Sequence, residues 1–258
     1  MIGLIGGTGV YDPNVLESPR KVKITTKYGE PSDLITIGKI KGKEVAILPR
    51  HGLNHFFSPS KVPFRANLMA FKELGVKKII SVNAVGSLKE ELKPGDFVFT
   101  TQFIDMTKKR DYSFYETEKV AHVSMADPFC NYLRSILINK AKELNYDFHE
   151  KGTCVVIEGP RFSTRAESFL FKSWGADTIN MTLVPEVILA RELEICYANI
   201  AMITDYDAWK EHAVSNIDVI NVMKNNIEKV RKLILEVIPL IDDKKHCICN
   251  EAMKNAFM

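Results

Sequence analysis

The chain has 258 residues, 46% of them hydrophobic, which suffices to bury a full core as one large α/β domain or two small ones and excludes a disordered chain. Its 35 basic and 32 acidic residues leave a net charge of +3 with no basic stripe, so no nucleic-acid partner is expected; small molecules and further copies of the chain are. No apolar run reaches membrane-span length, and the N-terminus M-I-G-L-I-G-G-T-G lacks the charged region and cleavage site of a signal peptide, so the expectation is a cytoplasmic protein with no membrane partner.

Short apolar runs of strand type recur at residues 2–5, 34–37, 45–48, 78–82, 96–100, 154–157 and 195–203. Helical patterns lie between several of them. Residues 59–75 open with Ser and Pro signals and close on Gly75. The run from Asp127 offers that residue as an N-cap before Pro128, S-T-R-A-E-S-F-L-F-K-S-W-G stops at Gly175, and a last pattern covers 218–238. No repeat, low-complexity segment or linker breaks the chain, so one domain over 1–258 is expected, with a C-terminal helix and tail from about 218. Strands alternating with helices imply a largely parallel sheet covered on both faces, with ligands at the carboxyl ends of its strands.

Those ends carry the informative residues. G-G-T-G (6–9) offers close backbone N–H approach and the Thr8 hydroxyl to an anion, although a simple tight turn has the same sequence. It is neither a dinucleotide fingerprint nor a P-loop. P-R-H-G sets the Arg50 guanidinium beside the His51 imidazole, a pair suited to an oxyanion. N-A-V-G-S (83–87) reads as another glycine turn. E-G-P-R-F-S-T-R-A-E-S turns the chain and leaves Phe162 and Ser163 before a helix, where an aromatic can stack on a planar base. I-N-M-T-L-V-P-E puts Asn180, Met181 and Thr182 in a short connection, with Glu186 just inside the next helix. Finally, I-T-D-Y-D-A-W ends a buried-type run in Asp205 and Asp207, two residues apart; in extended chain both face one space. A D-x-D metal site is the competing use of such a pair, and no metal is expected here.

The five cysteines, Cys130, Cys154, Cys196, Cys247 and Cys249, show no zinc spacing, because no two pairs share C-x-x-C and no histidine cluster accompanies them. The C-x-C near the C-terminus is open to two readings, a small strained disulfide or two free thiols. Whether Cys130 and Cys196 pair is equally open.

Five motifs, G-G-T-G, P-R-H-G, E-G-P-R-F-S-T-R-A-E-S, I-N-M-T-L-V-P-E and T-D-Y-D-A-W-K-E-H, in this order and over nearly the whole chain, resemble the methylthioadenosine phosphorylases of the purine nucleoside phosphorylase superfamily. The resemblance implies a single α/β domain whose mixed central sheet closes partly into a barrel flanked by helices. It implies phosphorolysis of 5′-methylthioadenosine with no cofactor, inorganic phosphate being a co-substrate. Thr8, Arg50, His51, Asn83, Ala84 through its backbone N–H, and Thr182 would hold the phosphate; the family often carries Thr where Asn83 stands. Phe162 and Ser163 would face the purine and Met181 the ribose, with Asn180 and Glu186 supporting that wall. Asp205 would protonate or hydrogen-bond the leaving base at N7 and the 6-amino group, with Asp207 steadying it, and two aspartates rather than an Asn favour adenine over a 6-oxopurine.

Ile217 and Ile220 would face the 5′ substituent. Asn221, where a further apolar residue is expected, and a loop after His212 shorter than in the similar animal enzymes leave open a broad purine nucleoside phosphorylase acting on adenosine, inosine or guanosine, or a methylthioinosine phosphorylase. His122 resembles the histidine that the family lends to a neighbouring subunit, which implies a homo-oligomer, a trimer or a dimer of trimers, and C-x-C near the tail occurs in heat-stable hexameric members. A metal-dependent nucleoside hydrolase or deaminase finds no H-x-E with P-C-x-x-C and no Asp-rich calcium loop. A binding module without chemistry gives no reason for the paired aspartates.

Overall fold

The computed structural model describes the chain except residues 8, 11, 118, 211–215 and 243–246, with backbone alone at 13 and 216–221. Eleven strands form one mixed sheet: β1 (Ile2–Gly6), β2 (Glu17–Val22), β3 (Ile35–Ile40), β4 (Lys43–Pro49), β5 (Lys78–Ser87), β6 (Phe97–Phe99), β7 (Gln102–Asp105), β8 (Phe148–His149), β9 (Thr153–Val156), β10 (Thr178–Asn180) and β11 (Cys196–Tyr206). Among the described residues five α-helices accompany them: α1 (Phe64–Glu73), α2 (Asn131–Glu143), α3 (Arg165–Ser173), α4 (Leu183–Glu192) and α5 (Asn216–Val237).

The sheet branches at β5. Along Lys78–Val82 it pairs in parallel with β1, which continues through β4 and β3 to β2; further on, Gly86 and Ser87 pair antiparallel with β10, which continues through β9 to β7. Its other edge pairs in parallel with β11, and β11 passes the ladder to β6 and β8. Among the described residues the ladder does not close, so the expected partial barrel is a branched open sheet instead. A continuous β5 makes this possible. N-A-V-G-S is not a turn but the last half of that strand, and it carries the second branch.

Both faces are covered, as the buried strand runs require. α1 and α4 pack together on one face over Leu68, Phe71, Val187 and Leu189; α2 and α5 cover the other over Leu133, Leu137, Leu233 and Val237. In α5 the buried Val230, Leu233, Ile234 and Val237 recur at helical spacing.

Two helix starts matter for the site. α3 is capped by Thr164, whose hydroxyl accepts from the Glu167 N–H while the Glu167 carboxylate accepts from the Thr164 N–H, a capping box written T-R-A-E. The cap is one residue later than Ser163, which leaves the Ser163 hydroxyl for other use. α2 is capped at Cys130 rather than Asp127, because the Cys130 N–H donates to Tyr197 O at 2.8 Å and holds the chain extended until that point.

Candidate active site

The register of the parallel strands brings Gly6, Pro49 and Val82 to one level, so the loops after β1 and β4 and the second half of β5 open into the same space. β10 runs back beside β5 and delivers Asn180, Met181 and Thr182 there, while β11 ends in the two aspartates. Together they line a cavity of about 610 Å³, within the range of small-molecule sites. It gathers Arg50, His51, Asn83, Ala84, Phe162, Ser163, Asn180, Met181, Thr182, Asp205 and Asp207, eleven residues singled out from sequence. Thr8 and the side chains of Ile217 and Ile220 lie outside the described residues. His122 is exposed and does not line this cavity; its N–H donates to Ala256 O at 2.7 Å.

At one end a buried polar network sets the side chains. The Arg50 guanidinium, 1% exposed, binds Glu186 in a fork, Nε to Oε2 at 2.7 Å and Nη2 to Oε1 at 2.9 Å, and further donates to Ser81 Oγ and Val82 O. Glu186 also accepts from Ser81 Oγ at 2.9 Å and Tyr197 Oη at 2.7 Å. Glu186 therefore braces Arg50 and ties it to Ser81 and Tyr197, where the expectation had it support the wall of Phe162, Ser163 and Met181. Burial first, and the Glu186 carboxylate next, push the Tyr197 phenol far above its ordinary range, so it stays a proton donor.

A second chain of bonds reaches the cavity through Asn83. Its Oδ1 accepts from Asn199 Nδ2 at 2.5 Å, and its Nδ2 donates to Thr182 Oγ1 at 2.6 Å, which fixes the Thr182 hydroxyl as an acceptor from within the protein and leaves its proton for a ligand. Asn180 Oδ1 accepts from the N–H groups of Thr182 and Leu183 at 3.3 Å each, and its Nδ2, buried in the wall, has no hydrogen-bond partner among the described residues. Such a donor is costly unless a ligand takes it.

His51 Nδ1 lies 2.8 Å from Phe57 O, so the neutral ring carries its proton there and offers Nε2 as an acceptor. Burial, then the Arg50 charge, lower its pKa to about 4. His55 stacks on it with ring centroids 4.1 Å apart.

The opposite end holds the carboxylates. Thr204 is the extra residue of a bulge in β11, since Ile203 pairs with Val85 and Asp205 already with Gly86. A Cβ on Gly86 would stand 3.3 Å from Asp205 Oδ2 and 3.3 Å from Asp207 Cβ, so both acids converge over a residue without a side chain. Their surroundings differ. Asp207, 3% exposed, has both carboxylate oxygens 2.6–2.7 Å from Ser163 Oγ, and its N–H donates to Ser87 O. Asp205 is half-buried and accepts from Thr204 Oγ1 at 2.6 Å. Phe162, 43% exposed, presents a ring at the rim. Val10, Met202, Met223 and Ile227 add an apolar stretch of wall, with Lys224 beside them. Sequence reasoning missed Ser81, Gly86, Tyr197, Asn199 and these α5 residues. The signal for Ser81 and Asn199 was present, as polar residues within fully apolar central strands.

The comparisons with known proteins agree with this geometry. Residues 1–239 match the phosphorylase superfamily. The S-methyl-5′-thioadenosine phosphorylase of Pyrococcus horikoshii is 58% identical over 257 residues, covering 100% of this chain and 99% of that one, and that of Nitrosopumilus maritimus is 51% identical, covering 99% and 97%. Among solved structures, a methylthioadenosine phosphorylase from an antarctic soil metagenomic library superposes with a TM-score of 0.94 at 46% identity, over 100% of this chain and 92% of that one. The Schistosoma mansoni methylthioadenosine phosphorylase in complex with adenine superposes with a TM-score of 0.93 at 41% identity, over 98% and 96%. From matches of this identity over its full length, the chain belongs to the phosphorylase superfamily and groups there with the 5′-methylthioadenosine phosphorylases.

Proposed function

We propose that the chain catalyses phosphate-dependent cleavage of 5′-methylthioadenosine to adenine and 5-methylthioribose 1-phosphate. One observation carries the reading: a single cavity joins a cradle of Arg50, His51, Asn83 and Thr182 to a pair of aspartates converging over Gly86. Phosphate held at the first end attacks the anomeric carbon as the bond to the base breaks. Its negative charge stabilises the ribosyl cation-like transition state, and its position makes the attack effectively intramolecular. At the other end Asp205 donates or shares a proton at N7 of the leaving purine, and Asp207, held by Ser163, accepts from the 6-amino group. The apolar wall of Val10, Met202, Met223 and Ile227 favours a methylthio group over a hydroxyl at the 5′ position. No cofactor is required by this chemistry.

The working unit is an oligomer, a trimer or a pair of trimers, acting in the cytoplasm. Support comes from His122, which lies outside its own chain's cavity, and from Leu53 and Phe56, 73% and 80% exposed on the loop that carries His55. Apolar side chains so exposed beside a site suit cover by a second copy.

The test is release of the base from 5′-methylthioadenosine, adenosine and inosine, each with and without phosphate. Phosphate-dependent release that prefers methylthioadenosine and is lost in Asp205→Asn is expected. Turnover that survives both phosphate removal and the substitution refutes the reading, and preference for inosine moves the substrate to 6-oxopurines.

A further inference from the structure

Four of the five cysteines meet away from the nucleoside cavity. Cys130 is the N-cap of α2, Cys196 opens β11, and Cys247 and Cys249 come from the C-terminal segment. Their four Sγ atoms all lie within 4.8 Å of one another, with Cys196 and Cys247 at 3.3 Å. No pair is bonded in the structure, which leaves all four sulfurs of the cluster available as ligands. Cys130, Cys196 and Cys249 are buried and Cys247 is half-buried. Cys154, the fifth, is buried within β9 and takes no part.

A zinc ion bound by four thiolates at about 2.3 Å requires sulfur–sulfur edges of about 3.8 Å. The cluster spans that length with four ligands and no oxygen among them, a donor set that selects a soft borderline cation over magnesium or calcium. The charge of such a centre is also met. Cys130 is the N-cap of α2, a helix of 13 residues with no side-chain cap bond there, so this ligand sits at the positive end of the helix dipole. One turn further along, the buried Arg134 keeps its Nε without a hydrogen-bond partner among the described residues.

We propose that Cys130, Cys196, Cys247 and Cys249 form a tetrathiolate site for zinc(II) that fastens the C-terminal segment to the sheet. Binding exchanges the thiol protons, released to solvent, for four metal–sulfur bonds, with no change of oxidation state. The segment it fastens matters beyond its own stability. Met253 N–H donates to Glu194 Oε1, Ala256 O accepts from His122 N–H, and Phe257 bridges Ala121, so the clip backs the strand of chain that presents His122. Sequence reasoning passed over the site because its ligands come from three separate segments and only one pair is close in sequence.

Metal analysis of the full-length protein, prepared with zinc and without chelator, tests the proposal. About one zinc per chain is expected, reduced at least tenfold in Cys249→Ser and retained in Cys154→Ser. Should the Cys249 variant not fold, the wild-type chain decides alone: unfolded in chelator without reductant and alkylated, it should release its zinc and gain five adducts. A metal-free chain overturns the proposal, whether it gains five adducts or only the single adduct that two disulfides would leave. Neither readout depends on turnover, so the result stands apart from the fate of the nucleoside reading.

Discussion

Replacing Gly86 by alanine separates the geometry of the two carboxylates from their chemistry, because the substitution moves the acids while leaving both aspartates in place. The added Cβ would lie 3.1 Å from Ile179 Cγ2, 3.3 Å from Asp205 Oδ2 and 3.3 Å from Asp207 Cβ. Ordinary carbon contacts relax to about 3.5–4.0 Å, so the neighbours must retreat by roughly 0.3–0.6 Å. Overpacking of this size costs about 1–3 kcal/mol, of which about 0.4–1 is returned because alanine restricts the unfolded chain more than glycine does. The variant should therefore fold with a modest loss of stability. Its chemistry should suffer more. A misplacement of about 1 Å costs roughly 100-fold in rate, so half that shift in the acids predicts about a tenfold fall in kcat/KM. The fall should appear in kcat with methylthioadenosine as substrate, while the KM for phosphate stays within a factor of about two. A Gly86→Ala enzyme with wild-type kcat and an unchanged thermal midpoint would refute the claim that the bare backbone at this position sets the acids.

Ser163→Ala removes the hydroxyl that both oxygens of the buried Asp207 share, a charge-assisted bond worth about 1.5–3 kcal/mol; chemical denaturation should show that loss together with a lower kcat/KM, and neither changing would mean that Asp207 is held by other groups. Glu186→Gln leaves the Arg50 charge buried without its counterion and should cost about 3–5 kcal/mol, with phosphate raising the thermal midpoint of the variant more than that of the wild type; equal shifts would count against Arg50 lying near the anion. His51 has a folded pKa of about 4 against 6.5 unfolded, so its contribution to stability is complete above pH 6.5 and is lost as pH falls toward 4, up to about 3 kcal/mol, a loss that His51→Asn should abolish in denaturant titrations between those values. An anion beside His51 favours the charged ring, so inhibition by sulfate should tighten as pH falls from 7 to 5 in the wild type and not in that variant.

The strands and most helices were legible because their apolar periods are strong, and the site loops were legible because glycine, arginine, histidine and aspartate stand at strand ends. What escaped depends on contacts between distant segments. N-A-V-G-S has the composition of a turn, yet pairing with β10 and β11 on its two edges holds it as strand, which no local pattern encodes. Asp127 has the better capping chemistry, but the bond from Cys130 N–H to Tyr197 O delays the helix by three residues. Glu186 follows I-N-M-T, a motif that reads as nucleoside-facing, so adjacency suggested that it supports that wall; its side chain instead binds Arg50, 136 residues earlier in the chain. The cysteine cluster is the same lesson in another form.

The buried Arg50–Glu186 pair bears on how the site handles its anion. A guanidinium matched by a carboxylate adds no net charge, and His51 is neutral near pH 7, so a phosphate at this end meets oriented donors more than a field of positive charge. Thr182 and Asn180 supply such donors from fixed positions, each held by bonds to Asn83 or to the start of α4. The arrangement has a chemical consequence. A phosphate strongly neutralised by unpaired cations would be a weaker nucleophile and would offer less negative charge to the ribosyl cation forming beside it. Hydrogen bonds from prearranged dipoles fix its direction of attack while leaving its charge available, which is where phosphorolysis needs the charge to remain. On the proposed function, Glu186 is a positioning residue that moderates the charge of Arg50 without touching substrate.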